Sequence, residues 1–252
     1  MSENESIKKY YDEVYHQGAS NVGYYRNHLK RLGSKIDIRP GERILDVACG
    51  TGEWLKVAHE FGAEPSGIDL SSTAVAYCKQ KLPSVEIHEG PAESLPFPSK
   101  QFDIVSCLGA LEHFMDPEKA LKEMARVGRD TARFLVLVPN EGFLPRRLGL
   151  FRGTRQVVVR EIVRPLHEWE AMFQRSGLRV EKRWKDLHIV SMEWIFSGSL
   201  PRNLMRLLSA VIIMFLPIAL QYQVYFLCYR KERGTTSEQR LISGTGESKV
   251  RS

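Results

Sequence analysis

Between positions 43 and 138 the apolar residues fall in short runs separated by amphipathic stretches. That alternation is the rhythm of strand–helix–strand units in a parallel sheet. The runs predict strands over 43–48, 64–68, 84–88, 102–107 and 133–138, and the stretches between them predict helices over 53–62, 71–82 and 117–128. Asp116 caps the last of these and Pro117 takes its first position. Upstream, 5–34 carries two helical patterns, one on Ile7, Tyr10, Tyr11 and Val14 and one on Tyr24, His28 and Leu32, with Gly18 and Gly33 as stops. Past Pro139 come an arginine-rich segment, a helix from about Pro165 to Arg175 closed by Gly177, a strand near 178–184 and a final strand over Gln223–Tyr229.

Between those last two strands lies an apolar run, Leu204–Leu220, broken only by Arg206, Ser209 and Pro217. Beyond Ser209 every helical face is apolar, the mark of a helix buried in protein or in lipid. Its residues would reach about 25 Å as a helix, short of the roughly 30 Å hydrocarbon core. A single crossing would also strand the final strand on the wrong side of a bilayer. The readings left are a monotopic or re-entrant placement and a buried helix or dimer interface. Arg202 and Arg206 before the run, with Arg230, Lys231 and Arg233 after it, suit anionic headgroups.

The chain's 252 residues, 43% hydrophobic and 26% charged, suffice for a real core, and no fixed-period repeat points to a solenoid. Cys49, Cys78, Cys107 and Cys228 form no C-x-x-C pair and are expected as reduced, mostly buried thiols. The polar N-terminus lacks the apolar stretch of a secretory signal, so the expected compartment is the cytoplasm. The net charge of +6 is local in origin: Arg146, Arg147, Arg152, Arg155, Arg160 and Arg164 crowd one segment against Glu161 alone. Such a cluster meets nucleic acid, anionic lipid or an anionic substrate, or is simply a solvated face.

The chemistry concentrates at Arg43–Gly52, which reads RILDVACGTG: a strand ending in an acid, a glycine turn, then a helix opening on Glu53. A dinucleotide fingerprint would need G-x-G-x-x-G, which no register here completes, and Glu53 puts negative charge where a pyrophosphate would want the helix N-terminus. No G-x-x-x-x-G-K-[ST] occurs either. An adenosine ligand without phosphates fits better. In Gly67-Ile68-Asp69-Leu70-Ser71 the acid can accept both ribose hydroxyls, because Ser71 or Ser72 can cap the following helix unaided.

With these residues in view, the chain resembles the class I S-adenosylmethionine-dependent methyltransferases, in the group of the ubiquinone and menaquinone methyltransferases. The resemblance spans about residues 40–140 and rests on ILDVACGTG, GIDLS, AESLPF at Ala92–Phe97, FDIVSCLGALEHF at Phe102–Phe114 and LVPN at Leu137–Asn140. It implies S-adenosylmethionine as cofactor. Asp46, Gly50 and Gly52, with Ala48 in the same loop, would face the methionine portion, Asp69 the ribose, Leu70 the adenine face and Ala92 with Glu93 the adenine edge, while Leu108 would sit beside the cofactor. Where relatives commonly place an acid before Ala-Glu, this chain has Pro91, so adenine recognition would rest on backbone groups or Glu93. The implied fold is a Rossmann-like seven-stranded, mostly parallel sheet with an antiparallel last strand and helices on both faces, with the apolar helix inserted before that strand. The implied domain runs over 1–233, divided into a helical cap (1–36), a cofactor core (40–140) and a substrate region (141–222) containing the hydrophobic helix 201–220, with a disordered tail at 234–252. Tyr10 and Tyr11 would lie where such enzymes fold a helix over the cofactor, or simply pack.

Methyl transfer from a sulfonium is an in-line displacement, and a hydroxyl acceptor benefits from a base. His113, where the fourth strand opens into a helix, is the first candidate, although Glu-His there can merely shape the pocket floor. His167, at the start of the helix after the arginines, is the second, with a surface turn as its alternative. The E-x-x-E-H metal run of some relatives is broken here by Gly109, so no metal is expected. The substrate region joins arginines to an apolar helix and suits an amphiphile. Gly153, Thr154 and Gln156, with His167-Glu168-Trp169, resemble a loose pattern among bacterial surface-polysaccharide methyltransferases. The expected reaction is O-methylation of a lipid-associated or saccharide substrate at the cytoplasmic membrane face, by a peripheral protein. The alternatives are C-methylation of an isoprenoid quinone precursor and a catalytically inactive S-adenosylmethionine-binding or scaffold protein, for which Pro91 is the one hint. Nucleic acid is disfavoured as a partner, since no recognition module or N/D-P-P-Y/F motif occurs and LVPN holds the fifth strand.

Overall fold

The apolar runs become the centre of one mixed sheet in the computed structural model, which describes residues 26–147, 149, 162–188, 195, 196 and 198–231. The strands are β1 (Arg43–Val47), β2 (Glu64–Asp69), β3 (Glu86–Glu89), β4 (Phe102–Leu108), β5 (Gly128–Pro139), β6 (Leu178–Lys185) and β7 (Gln223–Arg230), in the spatial order β3-β2-β1-β4-β5-β7-β6. β7 runs antiparallel to both neighbours, while the pairings from β3 to β5 are parallel. The α/β class, the reversed strand and the apolar insert before it agree with the sequence expectation.

Helices α1 (Arg26–Lys35), α2 (Glu53–Glu60), α3 (Ser72–Lys81), α4 (Pro117–Val127), a short α5 (Leu144–Arg147) and α6 (Leu166–Arg175) connect these strands, and α7 (Leu200–Phe215) holds the apolar run. Strand alternation sorts the core into two faces. Val105, Cys107, Phe134, Val136, Val138, Val224 and Phe226 pack with α4 and α6 on one face. Ile44, Ile104, Leu135, Leu137, Tyr225 and Leu227 pack with α1, Trp54 and Val57 on the other. All four cysteines are buried and reduced, as expected. Asp116 and Pro117 open α4 as predicted, with Lys119 N–H donating to Asp116 Oδ1 at 2.9 Å.

Three expectations are corrected. Gly33 does not stop a helix: α1 continues through it, because a Cβ there would lie 2.8 Å from Phe61 Cε2, so glycine serves close packing. β5 starts at Gly128 rather than 133, since the polar stretch before Ala132 joins the ladder through an irregular register opposite Phe102 and Ile104. The apolar helix spans Leu200–Phe215 instead of reaching 220. Pro217, which cannot donate a backbone N–H, sits in an extended conformation, and Ile218–Leu220 forms a separate 3-10 turn. The first helical pattern with Tyr10 and Tyr11, the segment with Arg152, Gly153, Thr154, Arg155, Gln156 and Arg160, and the 234–252 tail lie outside the described residues.

Candidate active site

The parallel strands all end at one edge, and the loops there carry the predicted chemistry. After β1 the backbone passes through left-handed conformations at Ala48 (φ 62°), Gly50 (φ 51°) and Gly52 (φ 80°). Gly52 is doubly constrained: besides its positive φ, a Cβ there would stand 2.4 Å from Cys78 Sγ on α3. Ala48 accepts the same backbone region without glycine's freedom, a local strain of the kind that gathers at functional sites.

Asp69, at the end of β2, holds this loop. Its Oδ2 accepts from Gly50 N–H and its Oδ1 from Ser71 N–H, both at 2.8 Å. Ser71 in turn caps α3 by accepting from Ala74 N–H at 3.1 Å, as its position suggested. Each carboxylate oxygen offers more than one lone-pair direction, so a ribose hydroxyl can donate to the same group. Asp69 therefore shapes the loop, a role the motif alone did not reveal.

Asp46 is buried on β1, where Oδ1 accepts from Ser106 Oγ at 2.7 Å and Ser106 accepts from Trp54 Nε1 at 2.9 Å. Burial pushes its carboxyl up to about 7, with Asp69's charge adding to the effect and the Ser106 bond opposing it. A cation beside Asp46 would relieve that penalty. Ser106 and Trp54 were not anticipated, because their spacing from Asp46 follows only from strand register, Asp46 lying opposite Ser106. A backbone cradle with two positive-φ glycines, a buried acid suited to an ammonium and a second acid at the end of the neighbouring strand fit S-adenosylmethionine.

The remaining predicted residues lie along the same edge. Leu70 and Leu108 are half-buried at the ends of β2 and β4, and Ala92 is buried in the loop after β3. Glu93 accepts from Asp116 N–H at 3.2 Å, tying that loop to the start of α4. His113 closes a 3-10 turn (Leu111–His113) beyond β4, its Nε2 4.0 Å from Glu112 Oε1. His167 stands exposed on the first turn of α6, a helix fixed to β5 by Trp169 Nε1 donating to Pro139 O at 3.0 Å.

A second group at this edge went unread in the sequence. Asp186, buried just past β6, receives the Nδ1 of His188, and His188 N–H donates to its Oδ1 at 3.1 Å. His28, on α1, places Nε2 at 2.9 Å from the Tyr225 hydroxyl and 3.4 Å from Asp186 Oδ1. Burial, the largest influence, lowers the His28 pKa against the pull of Asp186. Asp-x-His directly after an edge strand was the one available signal. Nothing in sequence joins His28 to it.

Comparison with known proteins decides the family. A methyltransferase domain model matches residues 45–136. The uncharacterized methyltransferase YcgJ of Bacillus subtilis is 32% identical over 178 residues, covering 66% of this chain and 69% of YcgJ. The chain belongs to the class I S-adenosylmethionine-dependent methyltransferases. A demethylmenaquinone methyltransferase of Lysinibacillus sphaericus is 30% identical over 158 residues, 59% of this chain and 65% of that enzyme, so the chain spans about two thirds of each of these relatives. The solved YcgJ structure superposes with a TM-score of 0.57 at 22% identity, over 82% of this chain and 99% of that one. The [4+2]-cyclase SpnF superposes at 0.64 and 18% identity, over 92% and 97% respectively, a likeness that speaks to fold alone. The enzyme is thus a methyltransferase that uses S-adenosylmethionine.

Proposed function

We propose that this methyltransferase O-methylates a lipid-associated or saccharide-bearing acceptor at a membrane face. The observation that carries the reading is α7. Of its residues only Ala210 is buried, while Leu204 is 60% exposed, Leu208 57%, Ile212 55% and Phe215 80%. At about 100° per residue these four share one side of the helix and Arg202, Arg206 and Ser209 the other, the pattern of a helix lying in a membrane interface. A helix buried within this chain is not what the burial supports. No helix among the described residues is long and apolar enough to cross a membrane.

The sheet edge holds the far end of α7. Gln221 Nε2 donates to Ile213 O at 2.7 Å and Leu216 O at 2.9 Å, Lys185 Nζ to Met214 O at 2.9 Å, and Asn140 Nδ2 to Ala219 O at 2.9 Å. A surface that received α7 would therefore meet the edge where methyl transfer occurs. When bound, S-adenosylmethionine supplies an electrophilic methyl group on a sulfonium. Asp46 and the glycine loop would hold its methionine part, Asp69 its ribose, Leu70, Ala92 and Glu93 its adenine, and Leu108 its flank. His113 and His167 are the sequence-derived candidates for taking the acceptor's proton.

A second reading, C-methylation of a quinone precursor, is favoured by the demethylmenaquinone methyltransferases among the relatives. Two assays separate the possibilities. Vesicles containing phosphatidylglycerol should carry the protein upward in a flotation gradient, and Leu208→Ser, Ile212→Ser and Phe215→Ser together should abolish this. Equal flotation of parent and variant would exclude α7 as the contact, and a parent that stays down as a dimer would make α7 a subunit interface. With labelled S-adenosylmethionine, label should pass to a polyprenyl-diphosphate-linked hexosamine in such vesicles. Transfer only to demethylmenaquinone would install the second reading.

A further inference from the structure

We infer that Asp186 and His188 form the dyad that removes the proton from the acceptor hydroxyl, with His28 and Tyr225 as positioning residues. This rests on the O-methylation reading. The location is set by register. Leu108 pairs with Leu137, Leu137 with Tyr225 and Tyr225 with Trp184, so one row of side chains crosses β4, β5, β7 and β6 on the face covered by α1. Tyr225 stands two strands from Leu108, about 10 Å at ordinary strand spacing.

Asp186 is joined to this row through Gln223. Its N–H donates to Gln223 O at 3.2 Å, and a Cβ on Gly109, the residue after Leu108, would lie 3.7 Å from Gln223 Nε2. Asp186 thus lies at the same strand-end edge as Gly109, one strand beyond Tyr225, and an acceptor seated over Gln223 would hold its hydroxyl between the methyl donor's place at the end of β4 and His188. Trp184 stacks on Tyr225 at 5.5 Å with Lys35 Nζ 4.5 Å from the Trp184 ring, so the Tyr225 ring is packed from the β6 side.

The chemistry follows from the pairing. A carboxylate that receives Nδ1–H fixes the imidazole tautomer and ring orientation and stabilises the imidazolium, which makes Nε2 the proton-accepting atom. As the acceptor oxygen's lone pair forms the new O–CH3 bond, the S–CH3 bond breaks and its electron pair stays on sulfur as a neutral thioether. The hydroxyl proton passes to His188 Nε2 and then to water. His28, bonded to the Tyr225 hydroxyl, stands 3.4 Å from the second oxygen of Asp186 and braces the carboxylate as the proton moves. Asp186 reaches two imidazoles by separate oxygens, and among the described residues no group of three or more His, Cys, Asp or Glu side chains is placed to hold a metal ion.

The test uses the full-length protein, phosphatidylglycerol vesicles carrying the polyprenyl-diphosphate-linked hexosamine, and labelled S-adenosylmethionine, with cofactor affinity measured separately by calorimetry. His188→Ala should lower kcat by about 100-fold or more, leave cofactor affinity within about twofold, and regain rate with added imidazole. Asp186→Asn should lower kcat at an unchanged acceptor KM. His113→Gln is the comparison. A loss in His188→Ala that imidazole does not restore, or a large loss confined to His113→Gln, overturns the dyad. No transfer by the parent chain, with cofactor still bound, overturns the O-methylation reading and the dyad with it.

Discussion

The two halves of the sheet's ligand edge are built on different principles. From β3 to β4 the edge is made of backbone: a loop with two left-handed glycines, braced by Asp69 and set against Asp46. From β5 to β6 it is made of side chains that meet from distant parts of the chain, His28, Asp186, His188 and Tyr225, beside a helix whose apolar side is exposed. The first half suits a cofactor whose shape is constant, since close backbone approach recognises it. The second suits an acceptor particular to this enzyme. Constancy of ligand and locality of encoding go together.

Gly52→Ala should break the first half most severely. Its new Cβ meets Cys78 Sγ at 2.4 Å in a left-handed conformation, which should cost about 3 kcal/mol by overpacking and backbone strain together, read as a lower urea midpoint and lost cofactor binding. A midpoint within error of the parent would mean that the loop yields. Asp46→Ala is expected to fold yet weaken cofactor binding by about 100-fold, the loss of a charged partner. Equal binding would remove Asp46 from the site.

A pH series sharpens the same half. A carboxyl raised to about 7 keeps its proton in the folded protein well above the usual carboxylate range. Folded Asp46 therefore binds more protons than unfolded, and its stabilising effect is full below the ordinary Asp value and is lost as pH rises toward 7. A cation bound beside it favours ionisation, so cofactor affinity should rise about fivefold from pH 6 to 7 with proton release. Asp46→Asn should flatten that dependence. Calorimetry in two buffers of different ionisation enthalpy measures both effects. The smallest change is expected in the second half, where Leu208→Ser on the exposed side of α7 should alter stability by less than about 0.5 kcal/mol. A larger loss would show that α7 packs on something within the chain.

How much was legible follows the same division. The order of strands and helices from β1 to β5 stood in the hydrophobic alternation, and Asp46, Gly50, Gly52 and Asp69 stood in contiguous motifs. Trp54 and Ser106, which hold Asp46, depend on a register between strands some 60 residues apart and could not be read. Gly33 was misread as a stop because packing against Phe61, not helix termination, selects it. The apolar run was correctly marked as unusual, but whether a helix buries its apolar side or exposes it is a tertiary property. His28 read as a helix-pattern residue for the same reason: its partners arrive from β6 and β7.

A crystal structure with S-adenosylhomocysteine tests the division most directly. The account predicts the ligand over β2, β1 and β4, its carboxypropyl amine beside Asp46, its ribose on Asp69 and its sulfur above Leu108 and Gly109, leaving Asp186 and His188 open to an acceptor. A ligand lying across Tyr225 and Asp186, with the glycine loop untouched, would contradict it.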